Sequence, residues 1–70
     1  MKISARNVLP GTVVALTKGP VSTEVTLEIA PGLTIVSTIT THSAENLNLQ
    51  IGAQAFGLIK ASSVMIGTED

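Results

Sequence analysis

The sequence lacks cysteine and has a single histidine, His42, among its 70 residues. Without thiols, no disulfide can brace the chain and no thiolate can hold a metal ion. One histidine cannot build a structural zinc site, which normally takes four Cys or His ligands. A chain of this length, whose single core gives only a few kcal/mol of net stability, therefore lacks the usual covalent and metallic supports.

Aromatic residues and charge are also scarce. Phe56 is the sole aromatic residue, 13% of residues are charged and the formal net charge is −1. A weakly acidic chain is not attracted to phosphate backbones, and a chain almost without aromatics lacks stacking platforms for bases. No apolar run has transmembrane length, and the N-terminus lacks the hydrophobic stretch of a signal peptide. We therefore expect a cytoplasmic protein with no nucleic-acid partner and no membrane partner.

Apolar residues, in contrast, make up 44% of the chain. A 7.2 kDa chain that is so apolar and so weakly charged is poorly suited to remain a solvated monomer. Burying a face against copies of itself is the remaining way to enlarge its core. The composition therefore predicts a homo-oligomer.

The residue pattern is mainly that of β-strands. Residues 21–29 alternate between apolar and polar side chains, as in a half-buried strand, and "APG" after them predicts a hairpin turn. Only residues 41–49 indicate a helix, with Thr41 or Ser43 as its N-cap. The other predicted strands are short apolar or β-branched runs, at residues 11–19, 33–39, 53–61 and 62–67.

Five short strands with one helical turn before the fourth predict an all-β fold. The expected architecture is a small five-stranded, OB-like barrel with one short helix. No linker, repeat or low-complexity segment interrupts the chain, so we predict one domain over residues 1–70. Residues 67–70 are expected to form a frayed tail.

Three short segments carry hydrogen-bond donors that suit a tetrahedral oxyanion. The segment "SAR" at residues 4–6 offers a hydroxyl, a main-chain N–H and a guanidinium within three residues. Thr40 and Ser43 add hydroxyls where the helix is expected to begin, and helix N-termini attract anions. The third segment contains Lys60, which is the only charged residue in an apolar run that is predicted to be a strand.

Each of these residues also has a purely structural interpretation. Arg6 could be a solvated terminal charge, and Lys60 could protect a sheet edge or extend its ammonium to water. A hydroxyl of Thr40 or Ser43 could simply cap the helix. His42 is best interpreted as a surface residue.

Acidic residues are absent from all three segments, and the nearest one is Glu45. A donor-rich pocket without carboxylates favours an anion and disfavours Ca²⁺ or Mg²⁺, so no site for a bare metal cation is predicted. Paired carboxylates at catalytic spacing, a partner for His42 and a Gly-rich phosphate loop are all missing. We predict that the protein is not an enzyme and holds no organic cofactor.

The motifs "ISARN", "ITTHSAENLNL" and "LIKASSVMIG" resemble, in their order and spacing, those of the molbindins. These are small cytoplasmic molybdate-binding proteins built from one Mop (TOBE-type) domain, and the resemblance covers essentially the whole chain. It implies a five-stranded OB-like barrel assembled as a hexamer, a trimer of dimers, with oxyanion sites at subunit interfaces. The implied ligand is molybdate or tungstate, and the implied role is storage and homeostasis of that anion.

The resemblance also implies which residues bind the anion. They supply hydroxyls, cationic groups and main-chain N–H groups: Ser4, Ala5 (through its N–H), Arg6, Thr40, Ser43, Lys60 and Ala61 (through its N–H). The last two are expected to come from a neighbouring subunit.

One other function remains open at this point, and a further one is disfavoured. The protein could be a non-catalytic oligomerisation or protein-interaction module whose polar interface residues serve only assembly. An OB-type nucleic-acid binder conflicts with the charge and the aromatic content.

Overall fold

A curled antiparallel sheet of four strands forms most of the computed structural model, which describes residues 1–70. In chain order the elements are β1 (Asn7–Lys18), β2 (Ser22–Ala30), β3 (Leu33–Thr40), a short helix α1 (Thr41–Asn46) and β4 (Gln54–Ile59). The strands lie in the order β3-β2-β1-β4, so β3 and β4 are the two edges. The prediction of one small, mostly β domain with one short helix is confirmed.

The alternation in the second strand decides which side of the sheet is buried. Thr23, Val25 and Leu27 point inward and are buried, whereas Glu24 between them is exposed. Since side chains alternate between the faces of a strand, this pattern fixes how β2 sits on the core. Val21 belonged to the predicted apolar face, but it precedes the strand and is exposed.

The fully buried core of one chain is small. It consists of Val13, Val25 and Leu27, with partly buried side chains packed around it. The ladder between β1 and β2 shifts at a bulge after Val13, where the segment leading into β4 crosses β1. The Val13 N–H donates to the Ala53 carbonyl, and the Gly52 N–H donates to the Val13 carbonyl. The bulge therefore anchors the connection between α1 and β4.

The prediction of a fifth strand within the chain was wrong. Residues Ala61–Ser63 form a 3₁₀ turn, held by N–H groups of Ser63 and Val64 that donate to the carbonyls of Lys60 and Ala61. The next residues belong to no helix or strand, and Met65 and Ile66 are 92% and 87% exposed. A strand forms only where its backbone groups find a partner, and within one chain this segment has none. One chain therefore forms a half-barrel of four strands.

The two edge strands border an open apolar groove of ≈ 350 Å³. Ile35 of β3 reaches toward β4, because its Cδ1 atom would lie 2.5 Å from a Cβ atom added at Gly57. A side chain at position 57 would therefore force the flexible end of the Ile35 side chain to move. The contact shows that the sheet is curled enough to bring its two edges toward each other.

The helix is shorter than predicted, and a different residue caps it. It spans six residues instead of the expected 41–49, and its N-cap is Thr40 instead of Thr41 or Ser43. Asn48, with a φ of 53°, turns the chain out of the helical path soon afterwards. No helix in the structure is long and apolar enough to cross a membrane.

A buried threonine pair fixes the helix to the first hairpin. The Thr41 hydroxyl donates to the Gly19 carbonyl at 2.6 Å. It also lies 2.8 Å from the Thr23 hydroxyl, which must donate because the Thr41 proton is already used. The Thr41 N–H donates to the Val21 carbonyl. The position of the helix, and of the Thr40 cap before it, therefore depends on Thr41.

Replacing Thr41 by valine keeps the shape of the side chain and removes its hydroxyl. The buried Thr23 hydroxyl and the Gly19 carbonyl then lose a partner, so we expect the free energy of unfolding to fall by about 1–3 kcal/mol. Chemical denaturation measures the change. Thr38→Val is the matched control, because Thr38 is exposed on β3, and an equal loss in both variants would contradict this role for Thr41.

An exposed ion pair also joins the helix to β1. Lys18 Nζ lies 2.9 Å from Glu45 Oε2, and the hydrogen bond and charge of Lys18 lower the pKa of Glu45 below its ordinary value of 4.5. A carboxylate with a lowered pKa stabilises the fold above that ordinary value and loses this contribution as the pH falls through the lower, folded-state pKa.

The Glu45→Gln variant removes this titration. We expect it to unfold slightly more easily than the wild type at neutral pH and to lose less stability on acidification, because its amide cannot ionise. Melting temperatures recorded from neutral pH to the acid side of 4.5 measure the difference. Glu69→Gln, at a carboxylate without an ion pair in the structure, should follow the wild-type curve, and identical curves for all three proteins would exclude the effect.

Candidate functional site

The segments that flank the β1–β4 ladder, residues 3–6 and 60–62, meet beside it. Because the two strands are antiparallel, the first residue of β1, Asn7, pairs with the last residue of β4, Ile59. The residues before β1 and after β4 therefore leave the sheet at the same place. They border an open cavity of ≈ 520 Å³, lined by Ile3, Ser4, Ala5, Arg6, Lys60, Ala61 and Ser62.

This terminal cavity, as we call it, carries two cationic side chains and no acidic one. Arg6 and Lys60 both line it, and the only ion pair in the structure joins Lys18 to Glu45 elsewhere. Ser4 and Ser62 add hydroxyls. Two unneutralised cations with neighbouring hydroxyl groups form a site that favours an anion and repels a metal cation.

Sequence reasoning missed one of the polar residues that line the cavity. Ser62 belongs to the 3₁₀ turn after β4, but sequence analysis placed it in a fifth strand and gave it no role. Lys60 was expected inside a strand, whereas it follows the strand as the residue before that turn. The pairing of "IKASS" with "ISARN" across the ladder could have shown that Ser62 lies near Ser4.

Thr40 and Ser43 lie far from this cavity in the same chain. Thr40 ends β3, the edge strand opposite β4, and pairs with Ser22 next to the far end of β1. β1 has 12 residues, which at about 3.3 Å per residue separates its two ends by roughly 35 Å. One chain therefore brings together Ser4, Ala5, Arg6, Lys60 and Ala61, but it does not bring Thr40 and Ser43 to them.

Thr40 and Ser43, which lie far from the terminal cavity, are hydrogen-bonded to each other. The Ser43 N–H donates to Thr40 Oγ1 at 3.0 Å, and the Thr40 hydroxyl donates to Ser43 Oγ at 2.8 Å. Thr40 therefore acts as a helix cap, which was the structural alternative for this segment. The Ser43 hydroxyl keeps its own proton, so it can still donate to a ligand.

Two other polar side chains of α1, His42 and Asn46, contact each other. His42 Nε2 lies 3.2 Å from Asn46 Nδ2 one helical turn away, on the exposed side of α1. No cluster of three or more His, Cys, Asp or Glu side chains that could hold a metal ion is present. The cationic, hydroxyl-bearing terminal cavity is thus the polar site with the clearest chemical preference.

Comparison with known proteins identifies relatives along the whole chain. The profile of the TOBE domain matches residues 3–66. A probable molybdenum-pterin-binding protein of Haemophilus influenzae is 45% identical over 69 residues, which cover 99% of this chain and 100% of that protein.

Solved structures show the same fold. MopII from Clostridium pasteurianum superimposes with a TM-score of 0.89 at 48% identity, and the match covers 96% of this chain and 100% of that one. The cytoplasmic molybdate-binding protein ModG, in a form with molybdate bound, gives a TM-score of 0.82 at 43% identity over 87% of this chain and 43% of that one. The chain therefore belongs to the TOBE-domain, molybdenum-pterin-binding (Mop) protein family, as its molbindin-like motifs indicate.

Proposed function

We propose that this protein is a non-catalytic, cytoplasmic binder of molybdate or tungstate that serves to store the anion and control its free concentration. The observation that carries the proposal is the terminal cavity, where Arg6 and Lys60 meet without any carboxylate. ModG, described as cytoplasmic and molybdate-binding, is 43% identical to this chain, which supports the choice of anion and compartment.

The chemistry of the cavity fits a tetrahedral dianion. The charges of Arg6 and Lys60 balance the two negative charges, while the hydroxyls of Ser4 and Ser62 can donate to further oxygens. The N–H groups of Ala5 and Ala61 are additional donors. Hydrogen bonds that involve a charged group contribute about 1.5–3 kcal/mol each, so a few of them suffice for firm binding. Molybdate and tungstate share this shape and charge, so we propose the site for both.

We further propose that Thr40 and Ser43 reach the anion from a second copy of the chain. They lie at the opposite end of the sheet from Arg6, so a site that uses both groups needs two chains. Lys60 and Ala61 line the same cavity as Ser4 to Arg6 within one chain. This geometry favours Thr40 and Ser43, instead of Lys60 and Ala61, as the contribution of the neighbouring subunit.

The half-barrel itself supports an assembly of several copies. An OB-type barrel has five strands, and here the edges of β3 and β4 stay unpaired beside an apolar groove. Val64, with backbone angles of −92° and 124°, already has the extended conformation of a strand. We propose that residues 64–66 of one copy enter the groove of another, which would complete a five-stranded barrel and cover Met65 and Ile66.

Further exposed apolar side chains favour an assembly larger than a dimer. Val21, at the first hairpin, and Ile51, after the helix, are 74% and 64% exposed and lie outside the groove. More than one apolar contact surface is what a closed assembly of several dimers requires. We therefore propose a hexamer, arranged as a trimer of dimers.

Removing either cation of the terminal cavity should weaken binding of the anion. For Arg6→Ala and Lys60→Ala we expect the Kd for molybdate to rise about tenfold or more, because each variant loses a charge-assisted hydrogen bond. Isothermal titration calorimetry with molybdate, tungstate and sulfate measures affinity and stoichiometry. Lys2→Ala is the matched control, since Lys2 does not line the cavity.

Two results of this titration would contradict the proposal. A wild-type protein that binds neither molybdate nor tungstate would exclude the function. A ligand that binds the folded form must stabilise it. A melting temperature that does not change when either anion is added would therefore support the alternative, an oligomerisation module without an anion function.

Shortening the chain tests the proposed strand exchange. Deleting everything after Ser63 removes the exposed apolar segment, so we expect smaller particles in sedimentation velocity. Deleting only residues 67–70 is the matched control, because it leaves Val64 to Ile66 in place. Particles of unchanged size in the shorter variant would show that residues 64–66 do not hold copies together.

A further inference from the structure

One side chain bridges the two segments that form the terminal cavity. Asn7 is the first residue of β1, and its Nδ2 donates to the carbonyl oxygen of Ile59, the last residue of β4, at 3.2 Å. The bond is partly buried and joins positions 52 residues apart in sequence. It lies at the point where the β1–β4 ladder ends and the cavity begins.

The two partners of this bond are directly attached to the two cationic residues. Arg6 precedes Asn7, and Lys60 follows Ile59. The accepting carbonyl belongs to the peptide group that joins Ile59 to Lys60, so the bond helps to orient the backbone from which Lys60 extends. Asn7 itself does not line the cavity. Its effect on a ligand must therefore act through the positions of Arg6 and Lys60.

The Asn7 hydrogen bond counteracts two effects that would otherwise separate the two cationic residues. Arg6 and Lys60 carry like charges and have no carboxylate between them, so in the absence of an anion they repel each other. Both also lie just beyond the last pair of the ladder, where no strand pairing holds the backbone. An anion that had to order both segments would bind more weakly, because this ordering opposes binding.

We propose that Asn7 is a positioning residue for the oxyanion site, which holds the Arg6 and Lys60 segments together before the anion arrives. The inference rests on the proposed anion-binding function. It assigns Asn7 a role in affinity that is separate from general stability of the sheet.

A second bond in the same ladder provides the matched control. Gln54 Nε2 donates to Thr12 Oγ1 at 3.0 Å, and Thr12 pairs with Gln54 at the opposite end of the β1–β4 ladder. Both bonds connect β1 to β4 through an amide side chain, but only the Asn7 bond borders the terminal cavity. Asn7→Leu and Gln54→Leu each remove one such bond and replace an amide by an apolar side chain.

The experiment compares the two variants with the wild-type protein by calorimetric titration with molybdate and by chemical denaturation. For Asn7→Leu we expect a Kd about fivefold higher, which corresponds to one hydrogen bond of ordinary net strength. For Gln54→Leu we expect the wild-type Kd, even where its stability falls as much as that of Asn7→Leu.

Trypsin cleavage without molybdate provides a readout that does not depend on the anion. Trypsin cuts after lysine and arginine, and the initial rates at two of its sites are compared: the bond after Lys60 reports on the order of the cavity, and the bond after Lys18 reports on the distant hairpin. Cleavage after Arg6 is not compared, because Asn7→Leu changes the residue that follows this bond. In Asn7→Leu we expect faster cleavage after Lys60 and unchanged cleavage after Lys18. Gln54→Leu should be cut like the wild type at both sites.

The outcomes separate this inference from the proposed function. Wild-type affinity in Asn7→Leu, or an equal loss in both variants, overturns the positioning role. Absence of molybdate binding in the wild type overturns the proposed function, while the cleavage after Lys60 still decides whether Asn7 orders the cavity. If Asn7→Leu does not fold, Asn7→Ala is measured in its place and judged by the same results.

Discussion

The antiparallel pairing of β1 with β4 is the interaction on which the structure depends. β1 is one of the two inner strands, hydrogen-bonded to β2 on one side and to β4 on the other. Its pairing with β4 is also the longest connection in sequence, since Asn7 lies opposite Ile59. Bringing these residues together costs loop entropy that local hairpins avoid. The ladder recovers this cost through its hydrogen bonds and through the Val13 contacts with Gly52 and Ala53.

The sheet built on this pairing has two chemically different ends. At one end of the sheet are the cationic groups and hydroxyls of the terminal cavity. At the other are the Thr40 cap and the buried Thr23–Thr41 pair, which hold the helix in place. The polar groups at the helix end are mostly satisfied within the chain, whereas Arg6 and Lys60 have no ion-pair partner. Arg6 and Lys60 therefore remain available to a ligand, whereas most polar groups at the helix end do not.

Features with a local cause could be predicted from the sequence. The alternation in residues 21–29 and the turn after it correctly indicate the β2–β3 hairpin. The family was also recognised, because its motifs are short and lie in a fixed order. The fifth strand could not be judged in this way, since its apolar pattern at Val64 to Ile66 is suited to a strand and only the missing partner decides against it.

The candidate site shows the same division between local and long-range causes. The donor types in "SAR" and the isolated Lys60 were visible in the sequence, and the structure places both at one cavity. The role of Thr40 as N-cap was missed, because three neighbouring hydroxyl residues compete for that position and their side-chain geometry decides between them. Ser62 was missed because a strand was predicted where the chain makes a 3₁₀ turn.

The small core of one chain has a consequence for how its stability depends on the amount of protein. Only Val13, Val25 and Leu27 form the fully buried apolar cluster, while large apolar side chains such as Met65 remain in water. In the proposed assembly, contacts between copies would add to this small core, and mass action would then make the melting temperature depend on concentration. Dilution would then act on the proposed assembly as a denaturant does.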